Sequence, residues 1–169
     1  KLRSLTSEEQ TDGNSWQGIY GALNTYKYVV DGDILVIDNP TGLAYFGDLN
    51  CALAVRSGAV GAVVNGLTRD TASVATLDFP VYSTGVWAND IKYEGTVENF
   101  NRTLDFDSVR VKNGDIIFAD YQGVLAIPDE NWDRVRERAL EVASNENKIR
   151  SSILGGTGVS EIIDKYGTF

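Results

Sequence analysis

Histidine and methionine are absent from the 169 residues, and cysteine occurs once, at Cys51. Without histidine, neither a Cys-His nor a Ser-His-Asp pair can be assembled, which removes most hydrolase mechanisms and the usual zinc sites. Acid-base work would fall to carboxylates, Lys, Tyr or metal-bound water. A single cysteine rules out an intrachain disulfide and a cysteine-rich metal site, and it fits a reducing, cytoplasmic compartment. Its place in the run LNCALAV marks it as a small buried hydrophobe rather than a nucleophile. Long apolar runs are missing as well. The longest, VVDGDILVID (29–38) and AVGAVVNGL (59–67), fall far short of the roughly 20 apolar residues that cross a bilayer. The opening KLRSLTSEEQTDGNS has neither the apolar core of a secretory signal nor an initiator methionine, so the chain reads as part of a longer product. Positive charge is scarce: 15 basic against 24 acidic side chains give a net charge of −9, which repels polyanions. The densest basic stretch, RVRERALEVASNENKIR (134–150), interleaves Glu with Arg as a solvated helix face does. The aromatics are spread without basic interleaving, which also argues against direct nucleic-acid binding.

What is present, 43% hydrophobic residues, suffices for one domain with a core. SWQGIYGALNTYKY (15–28) spaces Trp16, Ile19, Ala22 or Leu23 and Tyr26 as a helix, with Asn14 or Ser15 as its cap. DILVID (33–38), apolar between two acids, predicts a strand covered on both faces. NPTGLAYFG (39–47) reads as a loop, DLNCALAVRSG (48–58) as a helix closed by Gly58, and AVGAVV (59–64) as a second buried strand. Together they make a βαβ unit. Ligands in open α/β sheets sit at the carboxyl ends of strands, here the loops NPTGLAYFG and NGLTRD.

A short helix (70–77), a strand FPVYS (79–83), a polar mixed stretch from Trp87 to Arg102 and a half-exposed strand SVRVK (108–112) follow. GDIIFAD (114–120) echoes GDILVID (32–38), as a weak repeat of buried strands or by chance, and YQG turns it into GVLAIP. DENWDRVRERALEVASNENKIRSSIL (129–154) carries the longest helical stripe, which includes Trp132, Val135, Ala139, Val142, Ile149 and Ile153. Gly155-Gly156-Thr157-Gly158 breaks it, and 155–169 form a C-terminal tail or short helix. The glycine cluster follows a helix instead of a strand and lacks a Walker lysine, so it reads as helix termination and a linker rather than a phosphate loop.

Arg69-Asp70, just past the second buried strand, is the pair best suited to chemistry. An arginine fork grips a planar carboxylate with two charge-assisted hydrogen bonds, and a neighbouring aspartate can hold a hard cation. Base rates alone favour a plainer reading, a surface ion pair in which the aspartate caps a helix. Asn39, Thr41 and Tyr45 either line a pocket or are ordinary loop residues. Asp120 and Gly123 read as structural, the acid capping a turn and the glycine taking a dihedral that others cannot.

The stretch FGDLNCALAVRSGAVGAVVNGLTRDTASVATLDFPVYSTG resembles the signature of the RraA-like fold family. That family includes the 4-hydroxy-4-methyl-2-oxoglutarate (HMG/CHA) aldolases and the regulator of ribonuclease E activity. The aldolase branch is marked by an acid, twenty residues and then Arg-Asp; here Asp48 is followed by residues 49–68 and Arg69-Asp70. The likeness continues through GDILVID, FPVY and VKNGDIIFADYQGVLAIP, from residue 25 to residue 130 or so. It implies an α/β fold of the swivelling β/β/α type, with a single RraA-like domain over 1–169 assembled as a homo-trimer or hexamer. Family members carry a further N-terminal segment before the point that matches Lys1, which implies that the chain lacks it.

The resemblance also implies roles. Arg69 would bind the carboxylate of pyruvate or of its 2-oxo-acid parent. Asp70 would be the one direct protein ligand of Mg²⁺ or Mn²⁺, and Asp48 would orient a metal-bound water. Backbone N–H groups of Gly47, Asp48, Leu49 and Asn50 would meet the substrate carboxylate. The implied activity is a divalent-metal-dependent lyase that cleaves 4-hydroxy-2-oxo acids to pyruvate, with oxaloacetate decarboxylation through the same enolate. The other branch implies an alternative, a non-catalytic regulator or interaction protein; Asp48 favours the enzyme. Two segments depart from the family pattern. Thr71-Ala72-Ser73-Val74 stands where an acid is common, and VWANDIKYEGTVEN stands where the usual version is basic and glycine-rich. The second departure leaves room for a changed carbonyl chemistry.

Overall fold

In the computed structural model, which describes residues 1–11, 18–106 and 108–168, a strand β1 (Leu2–Ser4) and two short helices, α1 (Ser7–Thr11) and α2 (Gly18–Leu23), precede the first long strand. The chain divides into two units, Lys1–Ala126 and Ile127–Phe169. The helix expected over 15–28 is shorter. Its cap and Trp16 lie outside the described residues, and after α2 the backbone tightens into a 3₁₀ turn over Asn24–Tyr28. Thr25 explains the change, since its hydroxyl bonds the Ala22 carbonyl at 2.6 Å and competes with the α-helical ladder.

The sheet of the first unit is parallel. It comprises β2 (Ile34–Asp38), β3 (Ala44–Phe46), β4 (Gly61–Thr68) and β5 (Val81–Val86). β2 and β3 share one edge of β4, through Gly61–Asn65 and Leu67–Thr68, and β5 takes the other. The crossover helix α3 (Asp48–Arg56) completes the expected βαβ unit, and Gly58 leaves it at φ +95°, the left-handed exit that glycine allows. Phe46, Cys51, Ala54, Ala62, Val64 and Ile91 form the centre of the core. Cys51 is the buried small hydrophobe its sequence context suggests.

Several elements depart from the sequence reading. β3 lies inside the segment read as a loop; the glycines and proline around it hide three wholly buried residues. β4 runs four residues beyond Val64 because Gly66, at φ +148°, absorbs a bulge; a side chain there would meet the Asn39 carbonyl. β2 is an edge strand and is not covered on both faces. Its half-buried Ile34, Leu35, Val36 and Ile37 line a cavity of about 650 Å³ with Leu104 and Val111. The polar stretch contains β6 (Gly95–Val97), antiparallel to β1, and a hairpin β7 (Leu104–Phe106) with β8 (Val109–Val111) follows.

Among the described residues β9 (Ile116–Asp120) and β10 (Gly123–Ile127) pair only with each other, so Phe118 and Leu125 stay exposed where buried strands were expected. Asp120 caps their turn, accepting the Gln122 N–H at 2.7 Å, and Gly123 takes φ +154°. In the second unit α5 (Trp132–Leu154) packs on α6 (Val159–Tyr166), the helix expected in the tail. Only Ile149 of the α5 stripe is buried; Val135, Val142 and Ile153 stay exposed because eight residues of α6 cannot cover twenty-three of α5. Gly155 to Gly158 end one helix and start the other, as read.

Candidate functional site

The carboxyl ends of β3 and β4 meet at the Phe46 carbonyl, which accepts both the Thr68 hydroxyl at 2.5 Å and the Arg69 N–H at 2.9 Å. These two hydrogen bonds tie the last residue of β3 to the last residue of β4 and to the one after it. Gly47, the first residue of the turn into α3, is thereby pressed against Arg69-Asp70. A Cβ at Gly47 would stand 2.5 Å from Asp70 Oδ2 and 3.0 Å from Arg69 Cγ, so only glycine leaves that space open.

Asp70 has a left-handed backbone, φ 57° and ψ 32°, a conformation that aspartate tolerates at a cost. It occupies the N-cap position of α4 (Thr71–Val74), yet its carboxylate makes no capping hydrogen bond. Asp70 thus holds the cap position of the plain reading, its carbonyl accepting the Val74 N–H at 2.9 Å, without the side-chain capping bond. Its Oδ2 lies 3.6 Å from Arg69 Nε, too long for a hydrogen bond, and that Nε is buried with no hydrogen-bond partner among the described residues. Arg69 Nη2 lies 3.2 Å from Asp90 Oδ2. The guanidinium thus stands between two carboxylates, on a side chain about two thirds shielded from solvent.

The other expected site residues sit on the first turn of α3. Asp48 accepts the Leu49 N–H on its own Oδ1 at 2.7 Å, which spends one of the four backbone donors expected for substrate. Among the described residues no ion pair joins Asp48 to Arg69. Leu49 points its side chain to solvent. The Asn50 side chain is structural: it donates to the Tyr45 carbonyl at 2.8 Å and accepts the Tyr26 hydroxyl at 3.0 Å. Burial pushes the Tyr45 hydroxyl up to about 12 and raises that of Tyr26, so neither phenol exchanges protons near neutrality. Asn39 is consumed within its loop, giving Nδ2 to the Leu43 carbonyl and taking the Thr41 hydroxyl, both at 2.7 Å. Of the three loop candidates, Asn39 and Tyr45 are buried framework.

Asp90 was not legible. It lies in the stretch read as polar and mixed, and its place beside Arg69 comes from a parallel bridge to Ala44 that no local pattern announces.

A family model described as RraA-like, Aldolase/RraA, matches residues 14–126, more than half of the chain. The chain belongs to the RraA-like family. DlpA of Legionella pneumophila is 30% identical over 149 residues, 87% of this chain and 24% of that protein. A protein of Halalkalibacterium halodurans named "Putative 4-hydroxy-4-methyl-2-oxoglutarate aldolase" is 32% identical over 117 residues, 68% of this chain and 55% of that one. The chain thus spans about a quarter of the first relative and just over half of the second. The crystal structure of an uncharacterized protein from Pseudomonas syringae pv. tomato superposes with a TM-score of 0.83 at 21% identity, over 98% of this chain and 72% of that one, a likeness of fold. The RraA-like α/β fold expected from the sequence is the one observed.

Proposed function

We propose that this RraA-like chain is a divalent-metal-dependent aldolase that cleaves 4-hydroxy-2-oxo acids to pyruvate, with oxaloacetate decarboxylation as a second activity. The observation that carries the reading is Asp70, held in a left-handed conformation with a carboxylate that caps nothing, beside an arginine whose Nε is buried and unpaired. Strain of this kind is retained where geometry serves a task.

Among the described residues no group of three or more His, Cys, Asp or Glu side chains converges on one point. A cation here would have one protein ligand, Asp70, whose Oδ2 faces the close approach of Gly47. One hard carboxylate suits Mg²⁺ or Mn²⁺, which keep most of their waters. When bound, the ion supplies Lewis-acid stabilisation for the negative charge that cleavage leaves on the 2-oxo acid.

Cleavage takes the proton from the 4-hydroxyl, breaks the C3–C4 bond, and ends with a proton delivered to C3 of pyruvate. Arg69 clamps the substrate carboxylate, holding the 2-oxo group toward Asp70. Asp48, on the open first turn of α3, holds the water that receives the hydroxyl proton, a role that needs no histidine. The first-turn N–H groups at Asp48 and Asn50 have no carbonyl four residues back inside the helix and add a partial positive charge.

Assembly into a homo-trimer or hexamer belongs to the same proposal, supported by the apolar side chains left exposed on α5 and on the β9–β10 hairpin. Those same residues would serve a non-catalytic interaction protein, the second reading. Among the described residues no helix is long and apolar enough to cross a membrane. A cytoplasmic place is proposed from the single buried cysteine.

The deciding experiment measures pyruvate release from 4-hydroxy-4-methyl-2-oxoglutarate and from oxaloacetate, first with Mg²⁺ and then with excess chelator. Release that stops with chelator supports the lyase. No release from either, in folded and oligomeric protein, transfers the weight to the interaction reading.

A further inference from the structure

Asp90 reaches Arg69 on a main chain fixed from both sides. Ala44 donates its N–H to the Asn89 carbonyl at 2.8 Å, and Ile91 donates to the Ala44 carbonyl at 3.0 Å. Ile91 is wholly buried behind it. The carboxylate is then divided between two tasks: Oδ1 accepts the Lys92 N–H at 3.0 Å, and Oδ2 lies 3.2 Å from Arg69 Nη2. With one oxygen held by its own turn, the other is aimed.

The alternative partner for Arg69 is close. Asp70 Oδ2 stands 3.6 Å from Nε, and a guanidinium released from Asp90 would close that gap into a charge-assisted hydrogen bond. Two losses would follow. Asp70 would be neutralised as a cation ligand, and the arginine fork would turn away from an incoming carboxylate.

We propose that Asp90 is a positioning residue that holds the Arg69 guanidinium off Asp70, keeping Asp70 open to a cation and the remaining N–H edge of Arg69 open to a substrate carboxylate. This assignment rests on the lyase reading above for its purpose, and on the two ion-pair distances for its geometry. It makes the segment that departs from the family pattern a working part of the site.

Asp90→Asn tests it, since the amide keeps the volume and the acceptor for Lys92 while removing the charge. The deciding readout needs no ligand: the ¹H–¹⁵N signal of Arg69 Nε. In Asp90→Asn it moves downfield as Nε bonds Asp70, and adding Asp70→Asn moves it back. A signal that Asp90→Asn leaves in place, or that the second substitution does not restore, overturns the proposal.

Kinetics supply the functional arm. The KM for the 2-oxo acid rises about tenfold in Asp90→Asn, with kcat changed less, and the substitution has no further effect in an Arg69→Ala background. An equal loss in that background would mean that Asp90 acts other than through Arg69, and it too overturns the proposal. If the unaltered protein releases no pyruvate, the lyase reading falls by that result alone, while the Arg69 signal still decides the role of Asp90.

Discussion

Asp70 Oδ2 lies 2.5 Å from the point where a Cβ on Gly47 would stand. The backbone of Gly47, at φ −135°, is open to any residue, so the demand for glycine there comes from the site and not from the turn. Gly47→Ala would push the Asp70 carboxylate and the Arg69 stem aside, and both are side chains that can yield. The expected result is a stability loss below about 1 kcal/mol in a urea titration, with kcat/KM down by tenfold or more. A variant that is fully active would remove the cradle from the proposed site.

Asp70 separates chemistry from folding in a second way. Asp70→Gly relieves a left-handed backbone, worth roughly 1–2 kcal/mol, and adds unfolded-state freedom that costs roughly 0.5–1 kcal/mol. The two offset to within about 1 kcal/mol, so the melting temperature should barely move while metal-dependent turnover disappears. Asp70→Ala should abolish turnover equally with some loss of stability. Arg69→Ala should instead weaken pyruvate binding by about 1.5–3 kcal/mol, read by calorimetry. Turnover in Asp70→Gly at the parent rate would sink the metal assignment.

The βαβ unit was legible because its pieces are locally coded: apolar β2, the stripe and exit glycine of α3, and apolar β4. Arg69 and Asp70 were legible as a dyad at the end of β4. β3 was hidden because three residues carry no periodicity, and its burial depends on β4 passing beside it. The exposure of β2, β9 and α5 was hidden for the converse reason, since an apolar run shows that a surface needs cover and not what supplies it. Asp90 was invisible because its relation to Arg69 is made by the bridge to Ala44, a contact between residues far apart in the chain.

Alkaline pH should destabilise the first unit through groups that burial holds neutral. Burial raises the Cys51 thiol from its ordinary 9.0 to about 11, with the nearby Asp48 charge adding to it, and the Tyr45 hydroxyl from 10.0 to about 12. Both ionise first in the unfolded chain. Their contribution is therefore complete below pH 9 and is lost as pH rises through 11 to 12, on the order of 3 kcal/mol for each group. Urea midpoints measured from pH 8 to 11 should fall, and in Cys51→Ala the decline should begin nearer pH 10. A level midpoint across that range would contradict the burial of both groups. At pH 8 the native thiol should also resist a disulfide reagent that labels the unfolded chain at once.

Asn50 offers the sharpest separation of framework from substrate contact. Its amide joins the 3₁₀ turn to β3, through Tyr26 and the Tyr45 carbonyl, from the first turn of α3. Asn50→Ala removes both bonds and leaves the Tyr45 carbonyl without its side-chain donor, for a loss of about 1–3 kcal/mol in chemical denaturation. Tyr26→Phe removes the bond to Asn50 Oδ1 and the hydroxyl interaction with Tyr45 and should cost about 1 kcal/mol, and the double variant should lose less than the sum because Tyr26 and Asn50 share the first of these. The part of Asn50 in the proposed site is its backbone N–H, which both substitutions keep. The KM for a 2-oxo acid should therefore stay within about twofold in Tyr26→Phe while stability falls. A KM that rises in proportion to the lost stability would instead mean that the first turn of α3 depends on this amide for its place beside Arg69.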